Sequence, residues 1–385
     1  MDTLKVGIIG GGWMGHVHAR AYHRVNEHWA DLLVRPELAA VAETVPEVAA
    51  DFRRRYGIRV YPNWHDLVAD PGIRAVSVTA PNYLHREMGV AVAEAGKHLW
   101  IEKPVGLNAE DAIAVREAVQ ANGVVGCVGF NYRHVPAVTY AGDLIEAGAI
   151  GRITHARVQL LTDYAAHPGG PLSWRFALER GGHGVLGDLA SHGVDLLRFL
   201  LGDIDSLVAQ SAIHVPHRPI AEAGSHYAVL NVVDPDLTFG DVENEDYVVA
   251  LLRMQSGALA VCEANRAAVG EQNNYSFEIH GTKGLVRWDF RRAGELQVSS
   301  GDDYSDQPTQ TVFAGPGHGE YEAFNPGAGI AMSYDDSKVV EAMLFVRAIA
   351  GDARARATLD DAVASAVALD AMVESAASGT WVSLG

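Results

Sequence analysis

The chain has 385 residues, 48% of them hydrophobic, which is enough for two domains and a sizeable core. Its formal net charge of −18 argues against nucleic acid or an anionic membrane as a partner, since either needs a basic face. Two cysteines far apart, Cys127 and Cys262, read as buried thiols in a reducing compartment; without a basic leader or an apolar run of ~18 residues, the expectation is a cytoplasmic protein.

The N-terminal stretch sets the frame. An apolar strand over residues 4–9 runs into G-x-G-x-x-G at Gly10, Gly12 and Gly15, and residues 16–26 read as a helix. Gly10 permits the sharp turn, Gly12 lets a pyrophosphate approach the backbone, and Gly15 lets helix and strand pack closely. The helix N-terminus then offers N–H groups and partial positive charge to phosphates. An insertion at 27–35 delays the second strand, 37–43, which ends at Glu43. An acid here binds the ribose hydroxyls; the usual gap is ~20 residues, and Glu43 lies 28 after Gly15. No cation follows it, so the reading is NAD over NADP.

Strand and helix alternate up to about residue 128. Helices are expected at 46–56, 63–69, 84–95 and 108–121, and strands at 59–61, 75–79, 98–101 and 124–128. That rhythm implies a doubly wound parallel sheet, a Rossmann domain over residues 1–129. After Gly129 the pattern changes. Longer strands at 153–161, 206–215, 247–254, 258–265, 275–280 and 285–289 follow one another with a single helix, 187–201, between them. This suggests an α/β domain over 130–385 with a large, mainly antiparallel sheet open on one face. The stretch 301–329 reads as a long loop, of a length usually kept for function. Two closing helices, 335–350 and 359–375, are placed to pack back on the first domain.

Three side chains stand out for chemistry. Lys103 follows strand 98–101 at its carboxyl end, where doubly wound sheets bind ligands; an ammonium there stabilises a developing alkoxide. The following Pro104 holds it extended. Asp188 and His192 are four apart on helix 187–201, hence on one face. His192 is suited to take a proton near neutral pH, and Asp188 to orient the substrate or the imidazole. A buried structural histidine is the competing reading of His192. No histidine, cysteine or carboxylate set has metal-ligand spacing, so no metal is expected. Candidate pocket segments carry hydrogen-bonding and aromatic groups: Asn131, Tyr132, Gln159, Asp163, Trp174 and Asn325. Such groups suit an uncharged polyol. Arg175, which could clamp an anion, is read as paired with Asp163.

Taken together, the motifs resemble the Gfo/Idh/MocA oxidoreductases over nearly the whole chain. They are Gly10-Gly11-Gly12-Trp13-Met14-Gly15 with His18, Thr79-Ala80-Pro81-Asn82 with His85, Ala95-Gly96-Lys97-His98, Glu102-Lys103-Pro104, and Gly187-Asp188 through His192. The resemblance implies NAD as cofactor and Lys103, Asp188 and His192 as the catalytic group. It also implies cofactor contacts from Trp13, Met14, Thr79, Pro81, Asn82, His85 and Glu102, besides Gly10, Gly12, Glu43 and Lys103. A dehydrogenase acting on a ring secondary alcohol of a neutral sugar or cyclitol is expected, assembled as a dimer or tetramer through the open sheet. A non-catalytic dinucleotide sensor is the alternative of another class; retention of Lys103, Asp188 and His192 together favours the enzyme.

Overall fold

A computed structural model describes residues 2–220 and 237–384. It divides into two compact units, 1–134 with 332–364, and 135–331 with 365–385.

The first unit opens with β1 (Asp2–Ile9), α1 (Trp13–His28), β2 (Val34–Ala42), α2 (Pro46–Tyr56), β3 (Arg59–Tyr61) and α3 (Trp64–Ala69). It continues with β4 (Ala75–Val78), α4 (His85–Glu94), β5 (His98–Ile101), α5 (Ala109–Ala121) and β6 (Gly126–Val128). Among the described residues the strands form a six-stranded sheet, β3-β2-β1-β4-β5-β6, parallel at every pairing. Strands covered on both faces read as continuous apolar runs; all four residues of β4 are buried. Ile8, Ala19, Leu38, Val41 and Phe52 form one core cluster between sheet and helices.

The insertion expected at 27–35 is shorter than it reads. Helix α1 continues to His28 and β2 begins at Val34. Pro36 hid the strand, because a proline inside a sheet normally forfeits a ladder bond. Here its carbonyl accepts from the Asn26 side chain at 2.9 Å, and β3 pairs only with residues 40–42, so the missing N–H interrupts no pairing on that side.

The second unit contains α6 (Pro136–Glu146), β7 (Ile153–Thr162), α7 (Leu178–Gly181), α8 (Ser191–Leu201), β8 (Ile204–Ala212), β9 (His217–Pro219) and β10 (Phe239–Asp241). Then come β11 (Tyr247–Met254), β12 (Leu259–Asn265), β13 (Asn273–Gly281), β14 (Gly284–Asp289), β15 (Glu295–Ser300), β16 (Gln310–Phe313) and, near the C-terminus, β17 (Val382–Ser383). Nine strands pair in the order β16-β15-β14-β13-β7-β12-β11-β8-β17 among the described residues. Only β7 and β12 run parallel. Alternation along β7 is strict: Ala156, Val158 and Leu160 are buried, while Arg157 and Gln159 point to the other face. Helix α8 covers the buried face so closely that a Cβ on Gly193 would sit 2.6 Å from Leu160 and 2.9 Å from Cys262. The stretch 301–329 is more ordered than a bare loop. It supplies β16 and a 3₁₀ turn, Tyr321–Ala323. The buried Tyr321 hydroxyl gathers the loop, lying 2.9 Å from Gly327 O, Ile330 O and Ile330 N.

The chain then returns to the first unit as α9 (Tyr334–Ile349), opened by a Ser333/Asp336 capping box. Residues 357–358 add to the sheet edge at β6, and α10 (Leu359–Ser378) follows, starting in the first unit and ending in the second.

Candidate active site

The glycine turn of the first unit is built for a close backbone approach. Gly10 has φ +95°, and a Cβ there would meet Ala80 N and the Thr79 carbonyl at 2.9 Å. A Cβ on Gly15 would lie 2.2 Å from Gly10 O, so the helix seats on the turn only with glycine. Around Gly12 there is open space. The Thr79 hydroxyl donates to Gly10 O at 2.7 Å and locks the turn to the end of β4. No side chain caps α1, so its first N–H groups remain for an anion. The donor set and the space fit a dinucleotide pyrophosphate.

Glu43 follows β2 directly. Its carboxylate accepts the Gly11 N–H and the Val45 N–H, each at 2.7 Å, which fixes it beside the glycine turn, where ribose hydroxyls would be received. Trp13 is 65% exposed. It stacks on Tyr334 at 5.4 Å between ring centroids, and the Tyr334 hydroxyl donates to Met14 Sδ at 3.7 Å. Tyr334 lies 320 residues from Met14, so nothing local in the sequence links them. Pro81 and Asn82 open the 3₁₀ turn that leads into α4 and are partly exposed.

The side chains of two residues expected at the cofactor, His85 and Glu102, are engaged inside the unit. His85 is buried, and its two ring nitrogens lie 2.7 Å from Pro104 O and from Ala80 O. The ring ties together the loops after β4 and β5, and burial lowers its pKa. Glu102 is also buried; its Oε1 receives His18 Nε2 at 2.9 Å and Lys338 Nζ at 2.6 Å. Lys338 in turn pairs with Glu341 at 2.8 Å. Burial alone would raise the Glu102 pKa, but the Lys338 charge and the His18 hydrogen bond hold it well below the usual carboxylate range. Burial lowers His18 to about 4, so it is neutral and donates. This carboxylate is spent inside the unit. It fastens the end of β5, and Lys103 is the next residue, partly exposed.

The second unit holds Asp188 and His192. Asp188 lies in a π-helical turn, Leu186–Ala190, that runs into α8. Such bulges are frequent at functional sites. Asp188 is the one partly exposed residue of that turn, and its Oδ2 accepts the Tyr164 hydroxyl at 2.5 Å. Burial, then the neighbouring Asp188 charge, push the Tyr164 pKa up, so the phenol stays protonated and donates. His192 is 6% exposed on the first turn of α8, with its ring 6.5 Å from that of Tyr275 on β13.

The segment carrying Trp174 and Arg175 is anchored from below. Asn244 Nδ2 donates to Arg175 O and Gly182 O at 2.9 and 2.8 Å. Arg266 pairs with Asp246 at 2.7 Å with both side chains buried, and the Arg218 and Arg266 guanidinia lie over the Phe176 ring at 4.2 and 4.6 Å. Four of the expected site residues make contacts that the sequence does not announce. Arg175 does not pair with Asp163; its guanidinium lies over the Trp174 ring at 4.6 Å, a contact that needs no carboxylate. Gln159 faces away from α8 and donates to Glu263 at 3.3 Å, because the strand alternation turns it to the outer face of the sheet. Asn131 is fully buried in the first unit, where it donates to Ser337 Oγ at 3.1 Å. Tyr132 is also buried there, edge-on to Tyr334 at 6.5 Å. Asp163, Trp174 and Asn325 are partly exposed. Among the described residues no group of three or more His, Cys, Asp or Glu side chains could hold a metal, and no helix is long and apolar enough to cross a membrane.

Known proteins agree with this architecture. Residues 4–132 match the oxidoreductase family with an NAD-binding Rossmann fold, and residues 138–287 match the GFO/IDH/MocA C-terminal domain. The levoglucosan dehydrogenase of Pseudarthrobacter phenanthrenivorans is 38% identical over 99% of this chain and 98% of its own length. The inositol 2-dehydrogenase of Rhizobium meliloti is 26% identical over 99% of each chain. A solved levoglucosan dehydrogenase in complex with NADH and L-sorbose superposes with a TM-score of 0.93 at 37% identity, each chain fully covered. The chain belongs to the GFO/IDH/MocA oxidoreductases and is an NAD-dependent enzyme.

Proposed function

We propose that the chain oxidises a ring secondary alcohol of a neutral sugar to the ketone, with levoglucosan oxidised at C3 to 3-keto-levoglucosan as the leading reaction. The observation that carries this reading is full-length likeness, at 37% identity and a TM-score of 0.92, to a levoglucosan dehydrogenase solved with NADH and levoglucosan. When bound, NAD supplies the hydride acceptor. The residues of the chain do the rest. His192 takes the hydroxyl proton as the C–H hydrogen leaves with its electron pair, so the carbon ends as a ketone and the imidazole as imidazolium. Lys103 donates to the reacting oxygen and stabilises its growing negative charge. Asp188 accepts a hydrogen bond from the substrate or from His192. Glu43 favours NAD over NADP, because a 2′-phosphate would meet a carboxylate already fixed by two backbone amides.

A second reading is supported by the inositol 2-dehydrogenases of Rhizobium meliloti and Thermotoga maritima, at 26% and 25% identity: a cyclitol in place of the anhydrosugar. The test is NADH formation with levoglucosan, myo-inositol, 1,5-anhydroglucitol, glucose and glucose 6-phosphate. Preference for levoglucosan supports the first reading, and preference for myo-inositol replaces it with the second. Preference for glucose 6-phosphate overturns the neutral-substrate class. We also propose a second copy of the chain on the outer face of the nine-stranded sheet, where Leu251 and Leu259 are 51% and 55% exposed. Light scattering at assay concentration checks it, and a monomer sinks it.

A further inference from the structure

We infer that Tyr164 is a positioning residue of the dehydrogenase site, which sets the orientation of Asp188. The inference rests on the proposed role of Asp188, and adds to it a group from another segment. Four observations carry it. The phenol donates to Asp188 Oδ2 at 2.5 Å, in the range of a charge-assisted O–H···O⁻ bond. The acceptor sits on a π turn, a feature frequent at functional sites. The donor comes from a rigid support: Tyr164 packs on the buried cluster of Ala165, Phe176 and Val242. The Ala165 N–H donates to Arg266 O at 3.0 Å, and the Arg218 guanidinium donates to Ala165 O. Finally, Tyr164 interacts electrostatically with the Asp188 carboxylate and with the Arg266 and Arg175 guanidinia, so the hydrogen-bonded pair is set among fixed charges.

A flexible carboxylate has two oxygens and several rotamers with which to meet a sugar hydroxyl. The Tyr164 bond commits Oδ2 and thereby the plane of the group, so the orienting contact to substrate is formed in advance rather than during binding. Tyr164 therefore works through Asp188 and touches neither hydride nor proton.

The experiment compares wild type, Tyr164→Phe and Asp188→Asn by kcat and KM, with NAD binding followed by fluorescence. Losing a hydrogen bond to a charged group predicts a fall in kcat/KM of about ten- to a hundred-fold for Tyr164→Phe. Because the lost contact orients the sugar, the fall should include a rise in KM for the sugar, and NAD affinity should hold. Wild-type kcat and sugar KM in Tyr164→Phe overturn the inference, and so does a loss carried by weakened NAD binding. Full activity in Asp188→Asn overturns the underlying site reading instead, which separates the two failures. If Tyr164→Phe unfolds, Tyr164→Gln, which keeps a donor, replaces it: a sugar KM within about threefold of wild type supports the inference and one raised about tenfold or more overturns it.

Discussion

The two units position their candidate site residues by different means. In the first, backbone does the work: Gly10 in the left-handed region, Gly15 against a carbonyl, Glu43 held by two N–H groups, and Lys103 at the end of a parallel strand. In the second, side chains from separated segments do it: Tyr164 on Asp188, Tyr275 against His192, Asn244 and Arg266 beneath the Trp174–Arg175 turn. A backbone site needs particular residue types at particular spacings, and these show in one sequence. A side-chain site needs only that distant residues meet, and no spacing announces that.

The comparison can be broken most sharply at His192. If the second unit supplies the base, His192→Ala lowers kcat by about 10²–10⁴ while NAD affinity, a property of the first unit, stays put. Steady-state kinetics beside NAD titration reads both; a loss of about threefold or less, against a general-base contribution of ~100-fold or more, makes His192 a structural histidine. Next in size is Lys338→Met. It strips the cation from buried Glu102 and Glu341, and breaking a buried ion pair from one side costs about 3–5 kcal/mol. Urea unfolding followed by the fluorescence of Trp100, which Lys338 overlies at 5.6 Å, should show it in the first unit.

The same cluster gives a pH dependence of known sign. His18 has a folded pKa of about 4 against an ordinary 6.5. As pH falls below 6.5 the unfolded chain takes up a proton that the folded chain refuses until about 4. Stability is therefore full above 6.5 and declines between 6.5 and 4. Glu102, also depressed, adds a further loss below the usual carboxylate range. In His18→Gln the decline between 6.5 and 4 should flatten; an unchanged slope means that His18 is not the group responsible. The smallest effect belongs to Gln159→Ala. Because Gln159 lies on the sheet face opposite α8, kcat/KM should stay within about twofold of wild type, as for a surface change away from the site. A tenfold rise in KM would return Gln159 to the substrate.

The legible part of the molecule follows the same division. Alternating apolar runs and glycine spacing announce the parallel sheet, because each strand and turn is a local pattern. Pro36 concealed the start of β2, since a proline reads as a strand breaker and the pairing that tolerates it is not a local pattern. Glu102 and His85 were readable as belonging to the site region but not as buried struts, because their partners include Lys338, 236 residues away, and backbone carbonyls. Strand alternation did carry one usable signal. With Val158 and Leu160 apolar, Gln159 between them belongs on the other face, and period-two counting alone would have removed it from the substrate pocket. The partners of Arg175 and Asn131 had no such signal.

Residues 332–364 complete the first unit, and they are made late. When the ribosome has released residues 1–134, α1 and β5 already carry His18 and Glu102, but the ammonium that neutralises Glu102 is still about two hundred codons from translation. The nascent dinucleotide fold must wait with an uncompensated acid in its core, or leave the end of β5 unformed, until α9 arrives. Lys338 thus makes the earliest part of the chain to be synthesised among the last to be finished. A nucleotide-binding module excised from this protein would need 332–364 grafted after residue 134 to stand alone.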